Sequence, residues 1–477
     1  MFIGRQKELE NLNRFLQKKT ASLIVVKGRR RIGKSRLIEE FASPFKFYSF
    51  TGIPPTPHTT AQTQRDEFAL QLGQHMKLPG IKSDDWNTLF LLLAQKTKHG
   101  RTIILFDEIS WMGSKDPDFL GKLKTTWDMH FKKNDQLIFV ICGSASSWIE
   151  KNILSSTGFL GRISYTLTLR ELPIQDCNLF WPKKAKVSAF EKFKILAVTG
   201  GVPRYLEEID TTVTAEDNIK RMCFSEGGLL VNEFNNIFSD LFLHNSAMYK
   251  KIVKSLVKGS KEIKEICKDL KIQQSGRMSE YLNELELAGF VVRDYAWNLL
   301  SGIDSKSSKY RLSDNYVRFY IKYVNKHLTK IQRGHFTPPS LTSLQGWESI
   351  MGLQFENFVI NNAPFIYEAL NLRQEEIVAA NPYFQRKTLI QKGCQIDYMI
   401  QTKFGTIYLC EIKFSKNHIS SNVITEVQKK VEAIKTPKAF SIRPVLIHVN
   451  GVSNHLVEAE YFANIIDFSK ILHRAVQ

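Results

Sequence analysis

The 477 residues exceed what one ordinary core organises, and two to four domains of about 100–200 residues each are expected. A hydrophobic share of 43% and a charged share of 24% exclude a disordered chain, and no run of about 18 apolar residues is present to span a bilayer. The net charge of +19 is uneven: residues 241–340 hold 18 Lys and Arg against 9 Asp and Glu, which points to nucleic acid as a partner of that segment.

The opening Met1-Phe2-Ile3-Gly4-Arg5 lacks the charged-then-apolar layout of a signal peptide, so the cytoplasm is the expected compartment. Leu9, Leu12 and Phe15 share a helical face, and Ser22–Val26 (SLIVV) reads as a buried strand. Gly28-Arg29-Arg30-Arg31-Ile32-Gly33-Lys34-Ser35 follows and fits G-x-x-x-x-G-K-[ST], with a helical pattern from Ser35 through Arg36 to Phe41 leading out. Strand, glycine-rich loop and helix in that order suit a nucleoside triphosphate, expected to be ATP. The glycines let backbone N–H groups approach phosphate, and the helix N-terminus favours anions. Lys34 is expected to reach the β/γ-phosphates and Ser35 to ligate Mg2+, while the remaining loop residues and Arg36 line the nucleotide.

Phe45–Phe50 predicts a second strand, and Ile103–Phe106 a third that ends in Asp107-Glu108. This is a Walker B arrangement, in which Asp107 holds Mg2+ and Glu108 polarises the attacking water. Leu137–Ile141 predicts a further strand, after which Ser144 is a candidate to orient the water or the γ-phosphate. Arg162 is a candidate finger acting across a subunit boundary of a homo-oligomer, and Arg204, in GGVPRYL, a candidate γ-phosphate sensor. Buried strands alternating with helices predict a parallel α/β sheet over residues 1–170 and a helical lid over 171–245.

Residues 246–325 change character: three short helical patterns and two β-like pieces, Phe290–Arg293 and Tyr310–Leu312, describe a winged helix-turn-helix. Lys271, Arg277 and Arg293 are its expected DNA contacts, although Glu280, Glu284 and Glu286 oppose docking on part of the third helix. Thr337-Pro338-Pro339-Ser340 marks a linker over 326–345. A smaller α/β unit then occupies 346–477. The cysteines (Cys142, Cys177, Cys223, Cys267, Cys394, Cys410) are scattered without a C-x-x-C pair, which predicts buried thiols rather than zinc or disulfides.

In the last unit Asp397 precedes Glu411-Ile412-Lys413 by fourteen residues, and Glu356 lies in a helical FENF. Residues two apart in a strand face one way, so Glu411 and Lys413 share a face. Glu356, Asp397 and Glu411 are expected to hold a second Mg2+ or Mn2+, with Lys413 acting on the nucleophilic water, as in phosphodiester cleavage.

FIGRQKEL, GRRRIGKS, LFDEISWM, CGSASSW, GR and GGVPRYL together resemble the archaeal-type ATPase family, a branch of the AAA+/STAND-like P-loop ATPases. That resemblance covers residues 1–210 and implies a place for Gly4 and Arg5 near the adenine. Gln6 stands where the family usually has Glu. The C-terminal pattern resembles the PD-(D/E)xK nuclease fold, which follows an ATPase and a winged helix in many such proteins. Gln395 departs from its usual acidic residue. The expected protein is an α/β multidomain, Mg2+-dependent ATPase that binds DNA and couples ATP turnover to a restriction-endonuclease-like domain. Its rival is a nucleotide-switched DNA-binding or protein-interaction regulator whose nuclease-like domain is inactive.

Overall fold

Four of the five strands of the first sheet are short runs of apolar residues with turn signals on either side. In the computed structural model, which describes residues 2–472 apart from 183, 185, 243, 244, 388, 390 and 391, these are β1 (Ser22–Lys27), β2 (Lys46–Thr51), β3 (Thr102–Asp107), β4 (Leu137–Gly143) and β5 (Ile163–Thr168). All pair in parallel in the order β2-β3-β4-β1-β5. Every residue of β1, β3 and β4 is buried, as parallel strands covered on both faces require. Side chains alternate between two cores: Val25, Ile104, Phe106 and Phe139 join an aromatic cluster with Phe68, Trp86 and Phe119, and Ile24, Val26, Leu105 and Val140 pack with Leu37, Ile38 and Phe41. This sheet belongs to a unit of Met1–Glu171 with the short stretch Leu287–Gly289.

Leu172–Glu286 and Phe290–Gln477 form the second unit. Its helices Ala189–Thr199, Ala215–Phe224 and Leu229–Leu241 are followed by Ser246–Ser255, Ile263–Leu270 and Gly276–Leu287. An antiparallel hairpin of β6 (Val291–Trp297) and β7 (Asp304–Leu312) comes next, and Lys261 bridges to Tyr310 beside it. The hairpin is longer than the two β-like pieces read from the sequence, and at its far end Trp297 and Leu299 are buried. Trp297 Nε1 donates to Gln401 Oε1 at 2.7 Å, Gln401 Nε2 donates to the Leu299 carbonyl at 2.9 Å, and both hydrophobes enter a core with Met399, Leu409 and Leu446.

Residues 326–345, read as a linker, are tied down. Ile331 and Leu341 are buried, Thr337 donates to the Phe224 carbonyl, and Lys220 donates to that of Pro339. The final sheet comprises β8 (Ile377–Gln385), β9 (Cys394–Thr402), β10 (Thr406–Phe414), β11 (Ser441–Val449) and β12 (Asn464–Asp467), in the order β12-β11-β10-β9-β8. Pairing is antiparallel from β8 to β10 and parallel from β10 to β12. Helices Trp347–Asn361 and Asn422–Ala433 accompany it. All six cysteines are free. Among the described residues no helix is long and apolar enough to cross a membrane.

Candidate active site

The loop after β1 approaches other backbone so closely that only glycine fits at its start. Gly28 has φ 151°, and a Cβ there would lie 2.3 Å from the Leu169 carbonyl oxygen. Arg31 (φ 67°) and Gly33 (φ 87°) complete the turn into the helix Lys34–Ala42. Lys34 is buried and donates to the carbonyls of Gly28 and Arg29, each at 3.0 Å. Its ammonium is thereby held inside the loop, where phosphate oxygens can compete for it. Ser35 Oγ donates to Asp107 Oδ2 at 2.5 Å, so the hydroxyl at the helix start meets the carboxylate ending β3. A hydroxyl and a carboxylate are the hard oxygen ligands Mg2+ takes, and this pair fits it.

Sheet order explains the next contact. Because β4 lies between β3 and β1, the residue after its C-terminal end falls beside the acids ending β3. Glu108 has φ 48°, and its N–H donates to Asp107 Oδ1 at 2.9 Å. Its own carboxylate accepts from Ser144 Oγ at 2.9 Å and from the Ser144 N–H at 3.3 Å. Ser144, aimed at the water or the γ-phosphate in the sequence reading, engages the glutamate.

Arg5 braces the loop. Arg5 is 4% exposed; it donates to the Ile32 carbonyl at 3.2 Å and the Arg170 carbonyl at 2.6 Å, and pairs with Glu8 at 3.1 Å. Gly4, at φ 71°, precedes it in the same left-handed region. Arg29 pairs with Glu171 at 3.0 Å, Arg30 lies over the Trp111 ring, and exposed Arg36 pairs with Glu39 at 3.5 Å. The guanidinium of Arg162 holds Asp128 in a two-pronged pair at 3.0 and 2.8 Å, and with burial opposing it this keeps the Asp128 carboxyl well below the usual range. Arg204, in the second unit, pairs with Glu207 and Glu208 at 3.3 and 2.8 Å.

In the basic segment, residues 271–277 are exposed throughout. Lys271, at φ 55°, ends the helix Ile263–Leu270, and Arg277 lies over the Tyr281 ring. Arg293 differs from them. It is half-buried, donates to Ser308 Oγ at 2.8 Å and sits between the rings of Tyr295 and Tyr310. Glu284 bonds to the Tyr249 hydroxyl, which keeps it on the module's own packing.

Glu356, Asp397 and Glu411, expected to hold a second metal, lie near enough for the charges of Asp397 and Glu411 to act on Glu356. Among the described residues no group of three or more His, Cys, Asp or Glu is arranged to hold a metal. Asp397 and Glu411 do converge, on a lysine that the sequence reading missed. Lys430 Nζ lies 2.5 Å from Glu411 Oε2 and 3.5 Å from Asp397 Oδ1. Lys413 pairs with the other Glu411 oxygen at 3.0 Å and with Glu426 at 2.8 Å. Burial, and then the Asp397 charge, push the Glu356 carboxyl up to about 8; burial, and then Glu411, push Asp397 up to about 6. The signal for Lys430 was legible: it stands three residues after Val427 and seven after Val423, on the buried stripe of its helix.

A parallel sheet with a phosphate loop after one strand and paired acids after another defines a P-loop ATPase. Residues 2–209 match the family described as an ATPase domain predominantly from Archaea. An uncharacterized protein of Methanocaldococcus jannaschii is 24% identical over 367 residues, covering 75% of this chain and 76% of that one. An uncharacterized ATP-binding protein of the same organism is 49% identical over 41 residues, 9% of this chain and 70% of that one. Among solved structures, a Walker-type ATPase of Pyrococcus abyssi shares the fold with a TM-score of 0.50 at 15% identity, over 67% of this chain and 96% of that one.

Proposed function

We propose that the protein hydrolyses ATP with Mg2+ and uses nucleotide occupancy to control DNA contact by a winged helix-turn-helix. In this reading its C-terminal domain has a PD-(D/E)xK-like fold that binds without cleaving. The observation that carries hydrolysis is the pair of contacts joining Ser35 to Asp107 and Ser144 to Glu108. Mg2+ held by Ser35 and Asp107 would neutralise charge on the β- and γ-phosphates. Lys34 exchanges the Gly28 and Arg29 carbonyls for phosphate oxygens. Glu108 accepts the proton of the attacking water, and Ser144 holds that carboxylate in register.

Three helices, a hairpin and an exposed stretch over 271–277 support the winged module. The mixed sheet β8–β12 with its two helices supports the nuclease-like fold. Its donor set does not fit the three-carboxylate metal site, so no cleavage step is derived. Arg162, committed to Asp128, lends no support to trans action in a homo-oligomer.

Lys34→Ala should abolish ATP turnover. Glu108→Gln should still bind ATP while kcat falls by about 10²–10⁴-fold. Linear, circular and single-stranded DNA should remain intact with Mg2+ or Mn2+, with and without ATP. Cleavage that disappears in Asp397→Ala would restore the nuclease reading and overturn this one.

A further inference from the structure

Two carboxylates meeting in a largely water-free site repel each other, and one is driven to protonate unless a cation lies between them. A metal nuclease supplies a divalent ion there. Here the chain supplies its own cation. All four oxygens of the pair are engaged: Glu411 Oε1 by Lys413 at 3.0 Å, Glu411 Oε2 by Lys430 at 2.5 Å, Asp397 Oδ1 by Lys430 at 3.5 Å, and Asp397 Oδ2 by the Ile412 N–H at 2.9 Å. Glu411 is 3% exposed, so water cannot replace these donors cheaply.

Lys430 reaches this position because its helix, Asn422–Ala433, buries Val423 and Val427 on the same stripe. Withdrawing the ammonium would break its contacts with both carboxylates. Lys413 also pairs with Glu426 at 2.8 Å. The remaining charges nearby are Glu356, on the helix Trp347–Asn361, with Arg311 and Arg318 around it.

We infer that Lys430 is a tethered counter-ion standing where a divalent cation would bind, so that Asp397 and Glu411 form a latent metal site closed by the chain itself. The inference deepens the non-cleaving reading of this domain, yet it is separable from it. Metal binding and DNA cleavage are different readouts, and a failure of one leaves the other to be judged on its own data.

The test is Mn2+ titration of the full-length, nucleotide-free protein by electron paramagnetic resonance. An Asp107→Ala background removes the Ser35/Asp107 site from the count. That parent should show no Mn2+ site that Asp397→Asn eliminates. Adding Lys430→Ala should create about one site per chain, roughly tenfold or more tighter than any residual binding, because two carboxylates regain free lone pairs. Adding Asp397→Asn to that variant should remove it, and Lys430→Arg should leave the site shut. If Lys430→Ala does not fold, Lys430→Gln keeps the stem and removes the charge, and the same gain is expected. An Asp397-dependent site in the parent overturns the inference, as does a folded Lys430→Ala or Lys430→Gln chain that gains none.

Discussion

Glu108 is held by a hydroxyl and an amide from one residue, Ser144, and that geometry makes the two substitutions distinguishable. Removing the carboxylate in Glu108→Gln takes away the proposed base itself. Removing the hydroxyl in Ser144→Ala leaves the base present and less well aimed. A hydrogen bond to a charged group is worth about 1.5–3 kcal/mol, so kcat should fall roughly tenfold or more with KM for ATP little changed. In the Glu108→Gln background the same change should do almost nothing further, because the two act as a unit. Equal losses in both backgrounds would mean that Ser144 works on the phosphate, as the sequence reading had it. GRRRIGKS and the acids after IILF were readable because a glycine turn between strand and helix, and a buried apolar strand ending in acids, leave their mark in local sequence. The target of Ser144 was not readable, since it depends on β4 being inserted between β3 and β1.

At the same scale, Glu356 gives the protein a pH dependence of definite sign. Its carboxyl titrates at about 8 when folded, against an ordinary value of 4.5. The folded state therefore holds the proton more tightly. The stability this contributes is full below about pH 4.5 and is lost as pH rises through about 8. Asp397 acts in the same sense between 3.8 and about 6. The melting temperature should fall between pH 6 and 8.5, and Glu356→Gln should flatten that decline. A melting temperature that climbs over this interval would contradict burial as the dominant cause.

Among the elements, the β6–β7 hairpin makes contacts far away in sequence at both of its ends. At its base Arg311 pairs with Asp294 at 2.9 Å, both buried, and donates to Asn357 Oδ1 of the helix Trp347–Asn361. Arg318, 1% exposed, donates to the carbonyls of Val257 and Leu312. At the far end Trp297 packs against Tyr383 with ring centroids 5.1 Å apart. Asp294→Ala strands a buried guanidinium and should cost about 3–5 kcal/mol in denaturant unfolding. Asp294→Ala combined with Arg311→Met should recover much of that loss, whereas a merely solvated pair would show neither effect. The sequence predicted the two strands at the base of this hairpin but not its far end, because residues 294–309 have no sustained apolar alternation of their own. What extends it is contact with Gln401 and Met399, about a hundred residues away in sequence, and local periodicity carries no trace of that.

For the whole molecule, charge is the property that the fold redistributes most. The 18 basic residues of 241–340 overstate what can meet a phosphate. Arg293, Arg311 and Arg318 are committed to internal partners, and Lys261 pairs with Asp269. Lys264, Lys268, Lys271 and Arg277 remain exposed on the two helices and turn of the proposed winged module. Four phosphate contacts on B-DNA correspond to a slope of about −3.6 in log K against log salt. Between 50 and 200 mM salt that is a loss of roughly a hundredfold in affinity. Lys271→Ala or Arg277→Ala should weaken binding across unrelated sequences and make the slope shallower by about 1 each. Arg293→Ala should leave the slope unchanged, because its guanidinium is held by Ser308 and two tyrosine rings. Fluorescence anisotropy with one labelled duplex over a salt series measures all three. A slope that Lys271 and Arg277 do not influence, or one that Arg293 alone changes, would place the DNA-facing surface elsewhere on the protein.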